Sequence, residues 1–455
     1  MNAMNTAPAR GQSLAAEKAV AAAAGGAPHA AAPLPAREGF AYGLLGLPLA
    51  FGALPLYVLL PNHYATEFGM PLATLGAVLL GARLFDAATD PLLGRLCDRL
   101  FARSLRAVWA AGALSALVMA AGLTGLFLPP AAALPHLAAW AAALLLLATL
   151  AFSQLGIAHQ TWGARLGGSE LQRGHIVAWR EGCALLGVVL ASALPSLFGL
   201  PVMLAVFAAA LACGWLAWLR APRPAQHVGA AAATVARSGL WHPWRNAPFR
   251  RLMAVYLLSG IAAAVPATLV LFFVQDRLRA TPAQEPVFLA TYFLCAALST
   301  PLWLRAVARF GLARTWLAGM LASVAVFTAA ATLGEGDIAA FMAVCALSGA
   351  ALGSDLVLPG ALLAGVIADA GDRGRHDGAY FGWWAFATKL NLALAAGLAL
   401  PLLDTLGYTP GTREPQALQL LGTAYAAVPC VLKFAAAATL AFFFVRRIPQ
   451  APLSP

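Results

Sequence analysis

Charged side chains are scarce in this chain: Asp, Glu, Lys and Arg make up only 10% of its 455 residues. Hydrophobic residues make up 61%, and the mean hydropathy is +0.77. A water-soluble protein of this length needs more charged surface to stay dispersed. The composition therefore argues against an ordinary soluble enzyme or nucleic-acid-binding protein and indicates an integral membrane protein.

Several functional signatures are also missing. The sequence has no phosphate-binding glycine loop, no nucleophile elbow and no HExxH motif, and its six cysteines lack metal-ligand spacing. Its apolar blocks do not alternate as β-barrel strands do. Residues 1–38 lack the apolar core of a signal peptide, so we predict a disordered cytoplasmic tail there. We expect an all-α membrane protein that is not an enzyme and needs no organic cofactor.

Twelve stretches are long and apolar enough to cross a bilayer as helices. The predicted spans, numbered 1 to 12, are 40–63, 72–94, 105–128, 134–158, 176–198, 200–219, 250–274, 286–308, 312–333, 338–366, 379–404 and 418–445. Arginines cluster after the even-numbered spans, whereas the loops after spans 1, 3, 5 and 9 contain no Lys or Arg. The positive-inside rule then predicts that both termini lie in the cytoplasm, and we expect a multi-pass protein of the bacterial inner membrane.

The polar, proline-containing interval 221–248 divides these spans into two groups of six. A related segment follows the second span of each half, Pro91-Leu92 with Arg95 and Arg99 in one case and Pro301-Leu302 with Arg305 and Arg309 in the other. Such a repeat predicts two six-helix bundles. The predicted domains are bundles at 39–220 and 249–447, joined by the cytoplasmic linker 221–248 and followed by a cytoplasmic tail at 448–455.

Asp86 and Asp90 lie one helical turn apart inside span 2, so both carboxylates project from one face. One ionised side chain at the bilayer centre costs about 2.5–3.5 kcal/mol, so this pair needs a compensating cation. Arg83, one turn earlier, offers a simple ion pair. One arginine cannot fully neutralise two buried carboxylates, and the pair therefore also predicts a cation site.

The residues around this pair form a recognisable motif, Arg83-x-x-Asp86-x-x-Thr89-Asp90-Pro91-x-x-Gly94-x-x-x-Asp98-Arg99. It resembles the signature of the glycoside–pentoside–hexuronide:cation symporters, the melibiose-carrier branch of the major facilitators. Further similar positions are Tyr42-Gly43, Trp179-Arg180-Glu181, Asn246-x-Pro248-Phe249-Arg250 and Lys389. The resemblance implies a major facilitator fold in which two six-helix bundles rock around a substrate site.

The same resemblance implies a set of site residues. The cation site maps onto Asp86, Asp90, Thr89 and the span 4 hydroxyl of Ser153, with Lys389 and Arg83 as the charge switch. Oxygen ligands suit Na⁺, and a carboxylate pair sharing one proton suits H⁺. We expect the substrate cavity to include Arg180, Gln160, His159, Asp355, Trp383 and Trp384.

The family's galactoside carriers place acids and a tryptophan where this chain has Ala50, Gly156 and Gln160. The sequence thus predicts a monomeric, cation-coupled symporter of a small polar solute, such as a sugar or sugar derivative, without naming that solute. One alternative is a proton-linked exporter or uniporter of a more apolar metabolite. Another is a membrane-embedded sensor or assembly factor that transports nothing.

Overall fold

The computed structural model describes residues 34–225 and 239–446. Residues 1–33, 226–238 and 447–455, which hold most of the predicted tails and half of the predicted linker, lie outside the described residues. The fourteen α-helices of the described part are α1 Ala36–Gly43, α2 Gly46–Leu54, α3 Leu60–Thr66, α4 Leu72–Arg103, α5 Leu105–Phe127, α6 Leu137–Leu166, α7 Glu170–Leu219, α8 His242–Arg245, α9 Ala247–Phe272, α10 Glu285–Phe310, α11 Leu312–Ala330, α12 Ile338–Asp369, α13 Asp377–Thr405 and α14 Pro415–Leu440. Three π-helical turns, Pro55–Leu59, Phe273–Arg277 and Ala441–Val445, and one 3₁₀ turn, Ala131–His136, extend or join them. These described residues contain helices and no strands.

Nine of the described helical segments are long and apolar enough to cross a membrane. One of them, α7, spans 50 residues but is interrupted at Gly199, whose φ of 80° and ψ of 172° are not helical. Along the first part of α7, successive residues contact successively later residues of α2. Along the second part, Phe207 and then Gly214 contact successively earlier residues of α2. The two parts of α7 therefore run in opposite directions, as predicted for spans 5 and 6.

Two further elements occupy the places predicted for spans 1 and 2. The first is the broken run α1–α3, in which Pro55 opens the intervening π turn. The second is α4, whose 32 residues include both Asp86 and Asp90. This grouping is consistent with twelve spans in two bundles.

Glycines permit close contact between α4 of the first bundle and α13 of the second. A Cβ placed on Gly94 would lie 2.3 Å from the carbonyl oxygen of Gly378, and one on Gly382 would lie 2.6 Å from that of Asp90. Such distances are too short for any other side chain, so glycine is required for this approach. The contact brings Lys389, farther along α13, next to the acidic face of α4.

The bundles also meet at the end that carries the arginines following the even-numbered spans, here named the Arg-rich end. Asp98, at the end of α4, accepts hydrogen bonds from the backbone N–H groups of Gly378 (2.7 Å) and Ala379 (2.8 Å) at the start of α13. Arg165 bridges the carboxylates of Asp98 and Asp377, each at 3.1 Å. An anion at a helix N-terminus is favoured by the free N–H groups and the helix dipole.

A second contact at the Arg-rich end has the same chemistry. A carboxylate oxygen of Glu170, at the start of α7, accepts a hydrogen bond of 2.7 Å from the N–H of Leu312, the first residue of α11. The Arg-rich end is therefore held shut by carboxylates of the first bundle placed at two helix N-termini of the second.

Candidate cation and substrate site

Lys389 lies at the centre of a compact charged cluster. Its ammonium nitrogen is 2.8 Å from Asp86 Oδ2, 2.7 Å from Asp90 Oδ1 and 2.7 Å from Ser153 Oγ. Ser153 in turn donates a hydrogen bond of 2.8 Å to Asp86 Oδ1. Three helices, α4, α6 and α13, thus bring together four of the residues predicted from the sequence.

The charges of this cluster do not cancel. Two carboxylates and one ammonium leave one net negative charge among these side chains, although Asp86 is 1% and Asp90 0% exposed. Asp90 Oδ2 is buried and has no hydrogen-bond partner in the structure. A buried carboxylate oxygen without a partner is costly, and a bound proton or Na⁺ would satisfy it. The residues present therefore fit a monovalent cation.

The neighbouring positions play different parts. The Thr89 hydroxyl donates a hydrogen bond of 3.0 Å to the backbone carbonyl of Asp86, so its hydrogen is already used within α4. Arg83 is exposed and lines a small cavity of about 40 Å³ with Leu79 and Thr149. The Asp86 carboxylate accepts a hydrogen bond from Ser153 and forms an ion pair with Lys389.

A polar group lies between the bundles around α7. Arg180 pairs with Glu181 through bonds of 2.6 and 3.0 Å. Arg180 and Gln160 line the same small cavity of about 10 Å³, together with Gly360 and Phe381 of the second bundle. The structure thus places these two predicted residues at the boundary between the bundles.

An aromatic pair lies beside the Lys389 cluster. Trp384 of α13 stacks on Tyr256 of α9, with ring centroids 3.7 Å apart and planes inclined by 22°. The Tyr256 hydroxyl is 2.7 Å from the hydroxyl of Thr388, the residue before Lys389. Tyr256 gave no signal in the sequence, because a single tyrosine in an apolar span is ordinary.

Two residues predicted to line the substrate cavity lie elsewhere. His159 is fully buried within the first bundle, where its Nε2 is 2.8 Å from the Tyr42 carbonyl oxygen and its ring packs on Tyr42. Trp383 donates to the carbonyl of Leu240 at 3.1 Å and packs against Trp244 near the linker. Both side chains stabilise packing, since the helix faces they occupy point away from the space between the bundles.

Asp355 belongs to a second charged cluster, inside the second bundle. It accepts hydrogen bonds from Lys433 (2.5 Å) and from the Trp316 indole (2.8 Å), and Lys433 also donates to Ser259 at 2.9 Å. Asp355 and Lys433 border a cavity of about 340 Å³ whose other walls are mostly apolar. The sequence prediction included Asp355 but missed Lys433. The one hint in the sequence is that Lys433 places a charge in the middle of the apolar span 12.

Comparison with known proteins agrees with this architecture. The model of the family described as "MFS/sugar transport protein" matches residues 39–447. A protein of Salmonella typhimurium (strain LT2) named "Putative sulfoquinovose importer" is 26% identical over 445 residues, covering 90% of this chain and 89% of that protein.

Solved structures share the fold at low sequence identity. A bacterial homologue of the iron transporter ferroportin, in an outward-facing state, has a TM-score of 0.67 at 15% identity and covers 91% of this chain and 100% of its own. The fucose:proton symporter of E. coli has a TM-score of 0.61 at 15% identity, with 87% of this chain and 98% of that chain covered. The proton:xylose symporter has a TM-score of 0.60 at 12% identity, with 90% and 94% covered.

These findings confirm the predicted all-α major facilitator fold and point to a transporter, not an enzyme. The apolar helices and the matched family identify a multi-pass integral membrane protein with the major facilitator fold. The chain belongs to the MFS/sugar transport protein family.

Proposed function

We propose that this protein is a secondary active transporter that couples the entry of one monovalent cation to the movement of a small sugar-like solute. The observation that carries the proposal is the Lys389 cluster, in which one ammonium group faces two buried carboxylates. A proton or Na⁺ arriving at Asp90 Oδ2 would cancel the remaining negative charge. It would also weaken the hold of the cluster on Lys389, because the carboxylates would then share their charge between two cations.

The position of Lys389 links this binding event to the bundles. Asp86, Asp90 and Ser153 belong to the first bundle, whereas Lys389 belongs to the second. Its side chain is 20% exposed, while those of Asp86 and Asp90 are 2% and 0% exposed, so the lysine forms the open side of the cluster. Release of Lys389 on cation binding would change the energy of contact between the bundles, and the two equilibria would be linked.

The polar groups beside the cluster suit a hydroxylated solute. Arg180 and Glu181 offer charged donors and acceptors, and Tyr256 stacked on Trp384 offers an aromatic surface of the kind that sugars contact. A Cβ placed on Gly156 would meet nothing within 4 Å, so space is present where the galactoside carriers have an acid. The relative named for sulfoquinovose import favours a sugar derivative as the first substrate to test. Cytoplasmic termini, inner-membrane location and a monomeric state remain predictions.

The direct test is uptake into proteoliposomes under imposed gradients. Radiolabelled sulfoquinovose, neutral hexoses and hexuronates are offered with an inward Na⁺ gradient, with an inward proton gradient, or with neither. Symport predicts accumulation above equilibrium with one gradient, and it predicts loss of accumulation in Asp90→Asn. Asp404→Asn, which changes an exposed carboxylate, is the matched control and should transport normally.

Solute exchange without a gradient separates the possible failures. Uptake that merely equilibrates, equally with and without gradients, would refute cation coupling and leave a uniporter. Absence of both uptake and exchange for every solute would favour the sensor or assembly factor considered from the sequence.

A second candidate function, export or facilitated passage of a more apolar metabolite, is favoured by the cavity in the second bundle. Ala262, Pro266, Phe288 and Val344 contribute apolar walls to this cavity, while Asp355 and Lys433 supply a polar end. The same vesicles test it, with amphiphilic organic acids as solutes and an outward proton gradient. Transport of these solutes, combined with failure of every sugar, would replace the first proposal with the second.

A further inference from the structure

Two histidines and an aspartate meet at the Arg-rich end, outside the site described above. His242 lies at the start of the short helix α8, and Asp372 and His376 lie between α12 and α13. One ligand atom from each of the three residues lies within 4.8 Å of the other two. The cluster therefore joins the end of the inter-bundle linker to a loop 130 residues farther along the chain.

The geometry is close to that of a bound metal. His242 Nε2 lies 3.1 and 3.0 Å from the two carboxylate oxygens of Asp372. Ligands at about 2.0–2.1 Å from a tetrahedral zinc ion are themselves about 3.3 Å apart. The imidazole rings of His242 and His376 are already neighbours, with centroids 4.3 Å apart. The three ligand atoms, all within 4.8 Å of one another, are therefore near enough to approach one ion together.

The surroundings hold the carboxylate in place. The Tyr380 hydroxyl donates a hydrogen bond of 2.7 Å to Asp372 Oδ2 and accepts one of 3.2 Å from Asn246 Nδ2. Such outer contacts orient metal ligands and commonly change metal affinity by about 10- to 100-fold when they are removed. His376 is 4% exposed, while the side chain of His242 is 29% exposed, so the cluster is open to solvent on the His242 side.

The chemistry of the three side chains also suits a metal ion. Arg375 and Arg165 oppose a divalent cation, whereas Asp372 attracts it. Two imidazoles and one carboxylate favour zinc over Mg²⁺ or Ca²⁺, which prefer oxygen ligands.

We propose that His242, Asp372 and His376 form a binding site for one zinc ion, with a water molecule as the fourth ligand. The ion would fasten the linker helix α8 to the loop that leads into α13. Because Asp377 follows directly and pairs with Arg165, the ion would sit beside the contact that closes the Arg-rich end. The site is independent of the solute that the protein carries.

Zinc binding by the purified, tag-free full-length protein tests the proposal. The protein is first stripped with EDTA, then titrated with Zn²⁺ against a chromophoric chelator, and the bound zinc is counted by mass spectrometry. We expect one zinc per chain in the wild type and at least a tenfold loss of affinity in His242→Ala and in Asp372→Asn. Tyr380→Phe, which keeps all three ligands, should lose about tenfold through the freed carboxylate.

Two controls keep the result interpretable. His136→Ala removes an exposed histidine in a different loop and should bind zinc like the wild type. His242 is partly exposed, so His242→Ala should keep the metal-free melting temperature and elution profile of the wild type. Absence of bound zinc in the wild type would overturn the proposal. So would equal affinity in His242→Ala, Asp372→Asn and the wild type, because the zinc would then lie elsewhere.

Discussion

The ammonium nitrogen of Lys389 lies 2.7 Å from Asp90 Oδ1, although 299 residues separate them in the chain and they belong to different bundles. This contact makes the proposed cation site a part of the interface between the bundles. Any cation that competes for Asp90 therefore also acts on the attachment of α13 to α4.

Replacing Asp90 by Asn should abolish the response of the protein to the coupling cation. The substitution cancels the net negative charge among the Lys389, Asp86 and Asp90 side chains, so the cluster no longer needs a proton or Na⁺. In the wild type, a cation at 100 times its Kd should stabilise the folded protein by about 2.7 kcal/mol. In the wild type, the melting temperature should rise with Na⁺ concentration when Na⁺ is the coupling cation, or with falling pH when the proton is. In Asp90→Asn it should stay flat under both conditions. Equal responses in the two proteins would place the cation elsewhere.

Replacing Lys389 by Met should have the opposite effect. It leaves two buried carboxylates without their ammonium partner, and breaking a buried ion pair from one side costs about 3–5 kcal/mol. We expect a lower melting temperature at low cation concentration and partial rescue when the coupling cation is added. Lys389→Arg keeps the charge and is therefore the control for loss of charge. Its melting temperature should fall less than that of Lys389→Met. A Lys389→Met protein as stable as the wild type at low cation concentration would contradict this prediction.

The Lys433 and Asp355 pair should behave as a coupled unit. Lys433→Met alone leaves the Asp355 carboxylate with the Trp316 indole and without a counter-charge, so we expect a loss of about 3–5 kcal/mol. The double variant Lys433→Met with Asp355→Leu removes both charges and should recover most of that loss. Unfolding of the two single variants and the double variant gives the interaction energy. Simple additivity of the two single losses would show that the pair contributes no coupling.

Asp98→Asn should loosen the Arg-rich end. Two charge-assisted bonds to Gly378 and Ala379 are weakened, and a loss of about 1.4 kcal/mol would raise the open population tenfold. Cys97 is fully buried beside this contact and serves as a natural reporter. Its alkylation rate, followed by mass spectrometry of the peptide, should rise about tenfold. Cys213, which is exposed, should react at an unchanged rate. An unchanged Cys97 rate would mean that Asp98 does not hold this end closed.

Two glycines of α4 should respond differently to replacement by alanine. A Cβ at Gly94 would lie 2.3 Å from the Gly378 carbonyl oxygen, so Gly94→Ala should push α13 away and raise the Cys97 alkylation rate. A Cβ at Gly76 meets nothing within 4 Å, and Gly76→Ala should stabilise the helix by about 0.5–1 kcal/mol. Melting temperatures of the two variants give the comparison. Equal effects would show that the α4–α13 contact tolerates a methyl group.

The sequence was informative wherever a charge interrupts an apolar span. Asp86, Asp90 and Lys389 each carry an energetic cost in a bilayer that only a partner of opposite charge can offset. The sequence therefore predicts that these side chains pair with one another. Ser153 followed from the resemblance alone. The structure adds the distances and the partnerless oxygen of Asp90.

Orientation of side chains around a helix limited the other predictions. His159 and Trp383 are polar or aromatic residues near the predicted cavity along the chain, yet helix packing turns one toward Tyr42 and the other toward the linker. Apolar spans have almost uniform faces, and hydropathy therefore does not say which side meets the neighbouring bundle. For the same reason the partnership of Lys433 with Asp355 could not be derived from span 12 itself.

The carboxylates of Asp98 and Glu170 bind backbone N–H groups of the second bundle, and this has a consequence for how the closed end can change by mutation. Every residue except proline has a backbone N–H donor, whatever its side chain is. Nearly every exchange at Ala379 or Leu312 therefore keeps the donor, whereas a single change at Asp98 or Glu170 removes the acceptor. Loss of a bonding partner by mutation is therefore expected mainly at Asp98 and Glu170 of the first bundle, and at Ala379 or Leu312 it requires proline.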